Sequence, residues 1–158
     1  MGCKKQGPSA HIKRCSLSRT PGSLTTFTSS PGLANLKLSG AAAPVPAGSG
    51  KEIHILLELA PGTAGKAGLR IAAKPKPIEV AWSSGQVEVA GVPIPFGWED
   101  YDQKALLWSV AIADGRIDFY GNQRYHMSKA LKVDSVGPVV FFAQGGDATI
   151  KRATVDGK

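Results

Sequence analysis

No stretch of this 158-residue sequence approaches the ~20 consecutive apolar residues of a membrane-spanning helix, so no helical membrane anchor is expected. MGCKKQGPSAHIKRCSLSRT starts with base but lacks the apolar run of about 7–15 residues that a secretory leader carries, and no leader is expected there. Gly2 and Cys3 stand as in an acylation signal, yet Gln6 occupies the place where myristoylation calls for Ser or Thr, which argues against lipidation. The compartment stays open. Cysteine is nearly absent: Cys3 and Cys15 both fall in a polar stretch with no pattern to hold them at bridging distance, so no disulfide framework follows.

Acid is missing too, but only locally. The first 50 residues hold Lys4, Lys5, Lys13, Arg14, Arg19 and Lys37 and no Asp or Glu, whereas from Lys51 onward 13 bases face 12 acids. The net charge of +7 therefore belongs to one end of the chain, and the rest is close to neutral. Residues 1–32, rich in Ser, Thr, Gly, Pro and base without a hydrophobic period, read as a disordered basic tail. A nucleic-acid-gripping arm is the sharper reading, but its bases are scattered and not interleaved with aromatics, so no nucleic-acid partner is expected.

What is present from Leu33 onward is a succession of short strands broken by Gly, Pro and Asp. In KEIHILLELA, Ile53, Ile55, Leu57 and Leu59 alternate with Glu52, His54, Leu56 and Glu58, the period of two that puts one face in a core. Ala67 to Ala73, Ile78 to Trp82 and Gln86 to Val89 follow as further strands, and VPIPFGWEDYD, with Pro93 and Pro95, reads as a connection. ALLWSVAIADGRIDFYGN is the clearest unit. Asp114-Gly115 between alternating apolar runs is a hairpin turn that needs φ > 0 twice. Pairing Ala113 with Arg116 brings Ile112 to Ile117 and Val110 to Phe119, so these four and Trp108 share an apolar face. MSKALKV is read as at most one helical turn. GPVVFFAQGGDATIKRATV repeats the hairpin design around Gly145-Gly146. Roughly nine short strands without an amphipathic helix predict an all-β domain at 33–158, an antiparallel β-sandwich of jelly-roll or concanavalin type.

Few residues carry chemistry. A phosphate loop needs a helix after its glycines, and the alternating, β-branched DATIKRATV follows Gly146 instead. Asp114 and Asp118 lie roughly 10 Å or more apart along a strand, too far for the ~5–5.5 Å of a retaining glycosidase pair. His11, His54 and His126 lack the spacing of metal ligands, and no metal or other cofactor is expected. No Ser or Cys sits in a nucleophile elbow. Glu99, Asp100 and Asp102 beside Trp98 and Tyr101 make a candidate sugar-stacking surface, with Trp82 as a third platform; a solvated loop, and core for Trp82, are the plainer readings.

The order LANLKLSG, EIHILLELAPG, AGLRIAA, ADGRIDFYGN, QRYHMSKAL and FFAQGGDATIKRATV resembles the C-terminal β-sandwich of the invertase and levanase family, glycoside hydrolase family 32. Asp114, Asp118, Tyr120, Gly121 and Asn122 match that family's strand ending in a Gly-Asn turn, and Gly145-Gly146 its turn before the closing strand. The family more often has Glu at the position of Asp118 and Phe at that of Tyr120. Its nucleophile, stabilising acid and general acid lie in W-[LM]-N-D-P-N-G, R-D-P and E-C strings of an N-terminal five-bladed propeller, and none of these occurs here. The resemblance implies a sucrose- or fructan-cleaving relative, a partner catalytic propeller, a fructan or other carbohydrate as ligand, and no catalytic residue in this chain. Members are often secreted. VVFFA, apolar on both sides, adds the expectation of an outer apolar patch that a propeller would cover.

Overall fold

The computed structural model describes residues 28–29, 32–48, 50–83, 85–95, 106–122 and 125–158. Nearly all of the basic tail at 1–32, both cysteines, and the loop bearing Trp98 and Tyr101 lie outside the described residues. Among the described residues twelve strands run in the order β1 (Thr28–Ser29), β2 (Leu33–Leu38), β3 (Ile53–Ala60), β4 (Lys66–Lys74), β5 (Ile78–Ser83), β6 (Gln86–Val89), β7 (Val92–Pro95), β8 (Leu106–Ala113), β9 (Arg116–Gly121), β10 (Tyr125–Ala130), β11 (Ser135–Gln144) and β12 (Ala148–Gly157). They form two antiparallel sheets. The wide sheet has the order β1-β12-β3-β8-β9-β10, with β2 also on β12, and the narrow sheet has the order β11-β4-β5-β6-β7.

The alternation seen in the sequence decides which residues the two sheets enclose. Ile53, Ile55, Leu57 and Leu59 of β3 are all buried, as are Leu106, Trp108, Val110 and Ile112 of β8. From the narrow sheet Leu69, Ile71, Val80 and Phe141 join them in one core. The β8–β9 hairpin has the expected register, Ala113 with Arg116, Ile112 with Ile117 and Val110 with Phe119. Its turn residues Asp114 and Gly115 sit at φ 51° and 72°, the left-handed pair that matches strand twist. Trp108 and Phe119 meet edge to face with centroids 5.9 Å apart, a contact worth about 0.5–1.5 kcal/mol beyond the buried area.

Three expectations are corrected. MSKALKV does not turn helically: Tyr125–Ala130 is an edge strand in which Met127 pairs with Phe119 and Lys129 with Ile117. The Lys129 ammonium donates to the Ala90 carbonyl at 3.0 Å, tying this edge to the narrow sheet. A sheet edge that can take the segment's backbone groups and bury Met127 outweighs the small helical preference of Ala, Lys and Leu. VPIP is not a plain connection but β7, paired with β6 at the margin of the narrow sheet. An edge is the place where prolines without an N–H are tolerated in a sheet.

Gly145-Gly146 turns the chain as expected, at φ 73° and 147°, but it closes no hairpin. β11 belongs to the narrow sheet and β12 to the wide one, so the glycines carry the chain across the sandwich. Thr63 receives them: its N–H donates to the Asp147 carbonyl at 3.0 Å, and its hydroxyl accepts the Asp147 N–H at 2.9 Å. A Cβ on Gly146 would stand 2.2 Å from the Thr63 carbonyl oxygen, so both the backbone angle and the crowding demand glycine.

Candidate functional site

The outward residues of each sheet form a face, and the two faces differ. On the narrow sheet Phe142 points outward, as VVFFA predicts, yet is only 3% exposed. Arg70 lies over its ring at 4.9 Å and Lys66 at 6.0 Å. Residues 40–45 run along β11 as a strap: the Ala42 N–H donates to Phe141 at 2.8 Å, Val45 and Val139 exchange hydrogen bonds at 2.8 Å, and Ala143 donates to Gly40 at 3.0 Å. The apolar patch expected from VVFFA is therefore covered by the chain itself. Glu79 binds Lys66 at 2.7 Å and Arg70 at 2.8 Å. Partial desolvation pushes the Glu79 carboxyl up, but the hydrogen bonds and charges of Lys66 and Arg70 together outweigh it and hold it below its ordinary value. A depression of about 320 Å³ beside them is lined by Lys66, Glu79, Ala81, Ser83, Gln86 and Glu88.

The wide sheet presents rows read directly from its register. One row is Asp156, His54, Ala111, Asp118 and Ser128, and the next is Thr154, Leu56, Ser109, Tyr120 and His126. In the second row Leu56 and Tyr120, the exposed large hydrophobics among the described residues at 44% and 45%, flank the small Ser109. The Tyr120 and His126 rings stack nearly parallel, 4.3 Å apart at 11°. His126 Nε2 lies 3.6 Å from an Asp118 oxygen, and Arg116 donates to the Ser128 hydroxyl. The Ser128 hydrogen bond holds the Asp118 carboxyl below its usual range, against a smaller opposing effect of desolvation and with help from His126 and Arg116. His54 Nε2 is 3.1 Å from Ser109 Oγ. Beyond Leu56 a shallow apolar depression of about 190 Å³ is bordered by Glu58, Leu107, Arg152 and Thr154.

Of the three candidate platforms, Trp98 and Tyr101 lie outside the described residues. Trp82 sits near the end of β5 opposite Ala67 and Val87, both buried, and packs half-buried against the core. His54 and Ser109 lie on β3 and β8, interior strands each paired on both sides, so their contact sits in the middle of the wide sheet's outward face. Among the described residues no three His, Cys, Asp or Glu gather as a metal site. The Leu56–Ser109–Tyr120 row escaped the sequence reading because β3 and β8 are far apart along the chain, and no turn between them sets their register.

No protein-family profile matches the sequence, and no curated protein matches it. Solved structures do match in fold. A fructofuranosidase from Schwanniomyces occidentalis complexed with fructose aligns with TM-score 0.62 at 10% identity, over 82% of this chain and 34% of its own. A fructosyltransferase from A. japonicus aligns with TM-score 0.55 at 14% identity, over 95% of this chain and 28% of its own. The galectin LEC-6 of Caenorhabditis elegans aligns with TM-score 0.52 at 15% identity, over 82% of this chain and 94% of its own. The chain thus spans about a third of the fructofuranosidase it matches. In fold it is similar to the β-sandwich portion of the family 32 fructofuranosidases and fructosyltransferases, in agreement with the ordered motifs of its sequence.

Proposed function

We propose that this sandwich is a non-catalytic accessory module of a sucrose- or fructan-cleaving glycoside hydrolase, stabilising or extending a catalytic propeller. The observation that carries the reading is the coverage: 82% and 95% of this chain align with 34% and 28% of two larger fructosyl enzymes. The site chemistry agrees with it. Asp114 stands exposed at a turn, and Asp118 is engaged by Ser128 and His126 on an open face, so neither is placed as an acid–nucleophile pair.

Incubation of the purified chain with sucrose and with levan is expected to release no fructose. Release by the pure chain would overturn the reading. Added to a separately produced family 32 propeller lacking its sandwich, the chain is expected to raise the propeller's melting temperature. No rise in a saturating titration would count against an accessory role.

Carbohydrate binding is the second reading, favoured by the exposed Tyr120 ring on a polar sheet face. Trp98, Tyr101 and Trp82 remain its residues from the sequence. Affinity electrophoresis through levan or inulin tests it, with retardation that disappears in Trp98→Ala assigning the binding to that loop.

A further inference from the structure

We infer that the row Leu56–Ser109–Tyr120 on the wide sheet is a slot for one ring of a neutral saccharide, with Tyr120 as the stacking wall. The inference rests on the carbohydrate-binding reading and gives it a place other than the Trp98 loop. Neighbouring strands lie ~4.8 Å apart, so the β3 and β9 backbones that carry Leu56 and Tyr120 are separated by about 10 Å, two strand spacings. Ser109 between them is too short to fill that gap. One sugar ring, in van der Waals contact with a wall on either side, fills it.

Three features favour a sugar over an apolar side chain of a protein. The floor is polar: the Ser109 hydroxyl and the His54 imidazole are 3.1 Å apart and meet a ligand's hydroxyls from below. An apolar side chain would exclude water from them and leave unmet whatever hydrogen-bonding capacity their mutual bond does not use, at a cost. The wall is also fixed before binding. His126 backs the Tyr120 ring at 4.3 Å and is itself held beside Asp118, so the face of Tyr120 turned away from His126 is the one offered toward Ser109. A fixed ring loses little freedom on binding, and its π-face meets the C–H face of a sugar. Finally, the charges nearby are committed to each other. Asp118 lies 3.6 Å from His126 Nε2, Arg152 binds Glu58 at 2.8 Å, and Arg116 donates to the Ser128 hydroxyl, so most of these groups already have partners and a ligand's neutral hydroxyls suit the face better than a second anion.

The test is affinity electrophoresis of the full chain through gels containing levan, inulin or hydroxyethyl cellulose, with heparin as the charged control. Retardation by at least one neutral polysaccharide is expected, weakened about tenfold or more in Tyr120→Ala, the scale of one lost stacking contact of roughly 1.4 kcal/mol. Ser109→Leu, which fills the slot while leaving Tyr120 in place, is expected to do the same. Both variants should keep the parent melting temperature within a few degrees, which separates lost binding from lost folding. Retardation that survives both substitutions but disappears in Trp98→Ala overturns the slot and leaves carbohydrate binding standing. Absence of retardation in every neutral gel overturns both. Retardation in heparin alone also overturns the slot, because it reports charge.

Discussion

The two sheets treat their outward aromatics in opposite ways. Phe142 on the narrow sheet is roofed by Arg70 and flanked by the 40–45 strap, and the ion pairs of Glu79 hold that roof in position. Among the described residues nothing roofs Tyr120 on the wide sheet, and its ring is stacked against His126. Phe142 has become part of the protein's interior, and Tyr120 remains on a surface. An outward-pointing large apolar residue therefore does not define a docking patch until what crosses above it is known.

The difference is open to being broken. Phe142→Ala should be the most costly change, about 3–5 kcal/mol in urea unfolding, because a buried ring leaves a cavity under Arg70. Tyr120→Ala should cost no more than about 1 kcal/mol, being half exposed; equal costs for the two would erase the contrast. Val45→Pro comes next. It removes the N–H that the strap gives to Val139, and should cost about 1–3 kcal/mol while exposing the β11 edge to self-association visible in light scattering. If the variant associates no more than the parent and is as stable, the strap does not protect the β11 edge.

The smallest effects are electrostatic and sharpen the comparison through pH. Glu79 and Asp118 are each held below their ordinary values, so around the usual carboxylate range of about 4 the unfolded chain binds more protons than the folded one. Their contribution to stability is present above that range and is lost as pH falls through the depressed folded values. Glu79→Gln should flatten the fall in melting temperature between about pH 5 and pH 2 while changing stability at neutral pH by no more than about 1 kcal/mol, as befits a half-exposed pair. Asp118→Asn should do the same more weakly. A steeper fall in either variant would contradict the direction of the shift.

Much of this fold was legible residue by residue. Asp114-Gly115 dictates a two-residue left-handed turn, and with it the whole β8–β9 register follows by counting. The alternation of Ile53 to Leu59 likewise placed one side of β3 in the core. Misreadings arose where partners are distant in sequence. The Gly145-Gly146 turn looks like a hairpin because both flanks alternate, and no local feature says that the flanks join different sheets. The 125–130 segment is decided by an edge that accepts it, and Phe142 by a strap about a hundred residues away. For the same reason the candidate slot was hidden. Asp118 and Tyr120 stood out as family-motif residues, but Leu56 and Ser109 become their neighbours only once β3 pairs with β8.

The position of β12 constrains the order of events during synthesis. It follows the other eleven described strands in the chain, yet it lies inside the wide sheet, between β3 on one side and β1 and β2 on the other. Until it leaves the ribosome, β3 has one unpaired margin and β2 has no partner in that sheet, so the nascent chain carries two open ladders and an uncovered core. Cooperative closure is thus postponed until Ala148–Gly157 arrives, and a nascent chain arrested earlier is a natural client for a chaperone that shields unpaired strands.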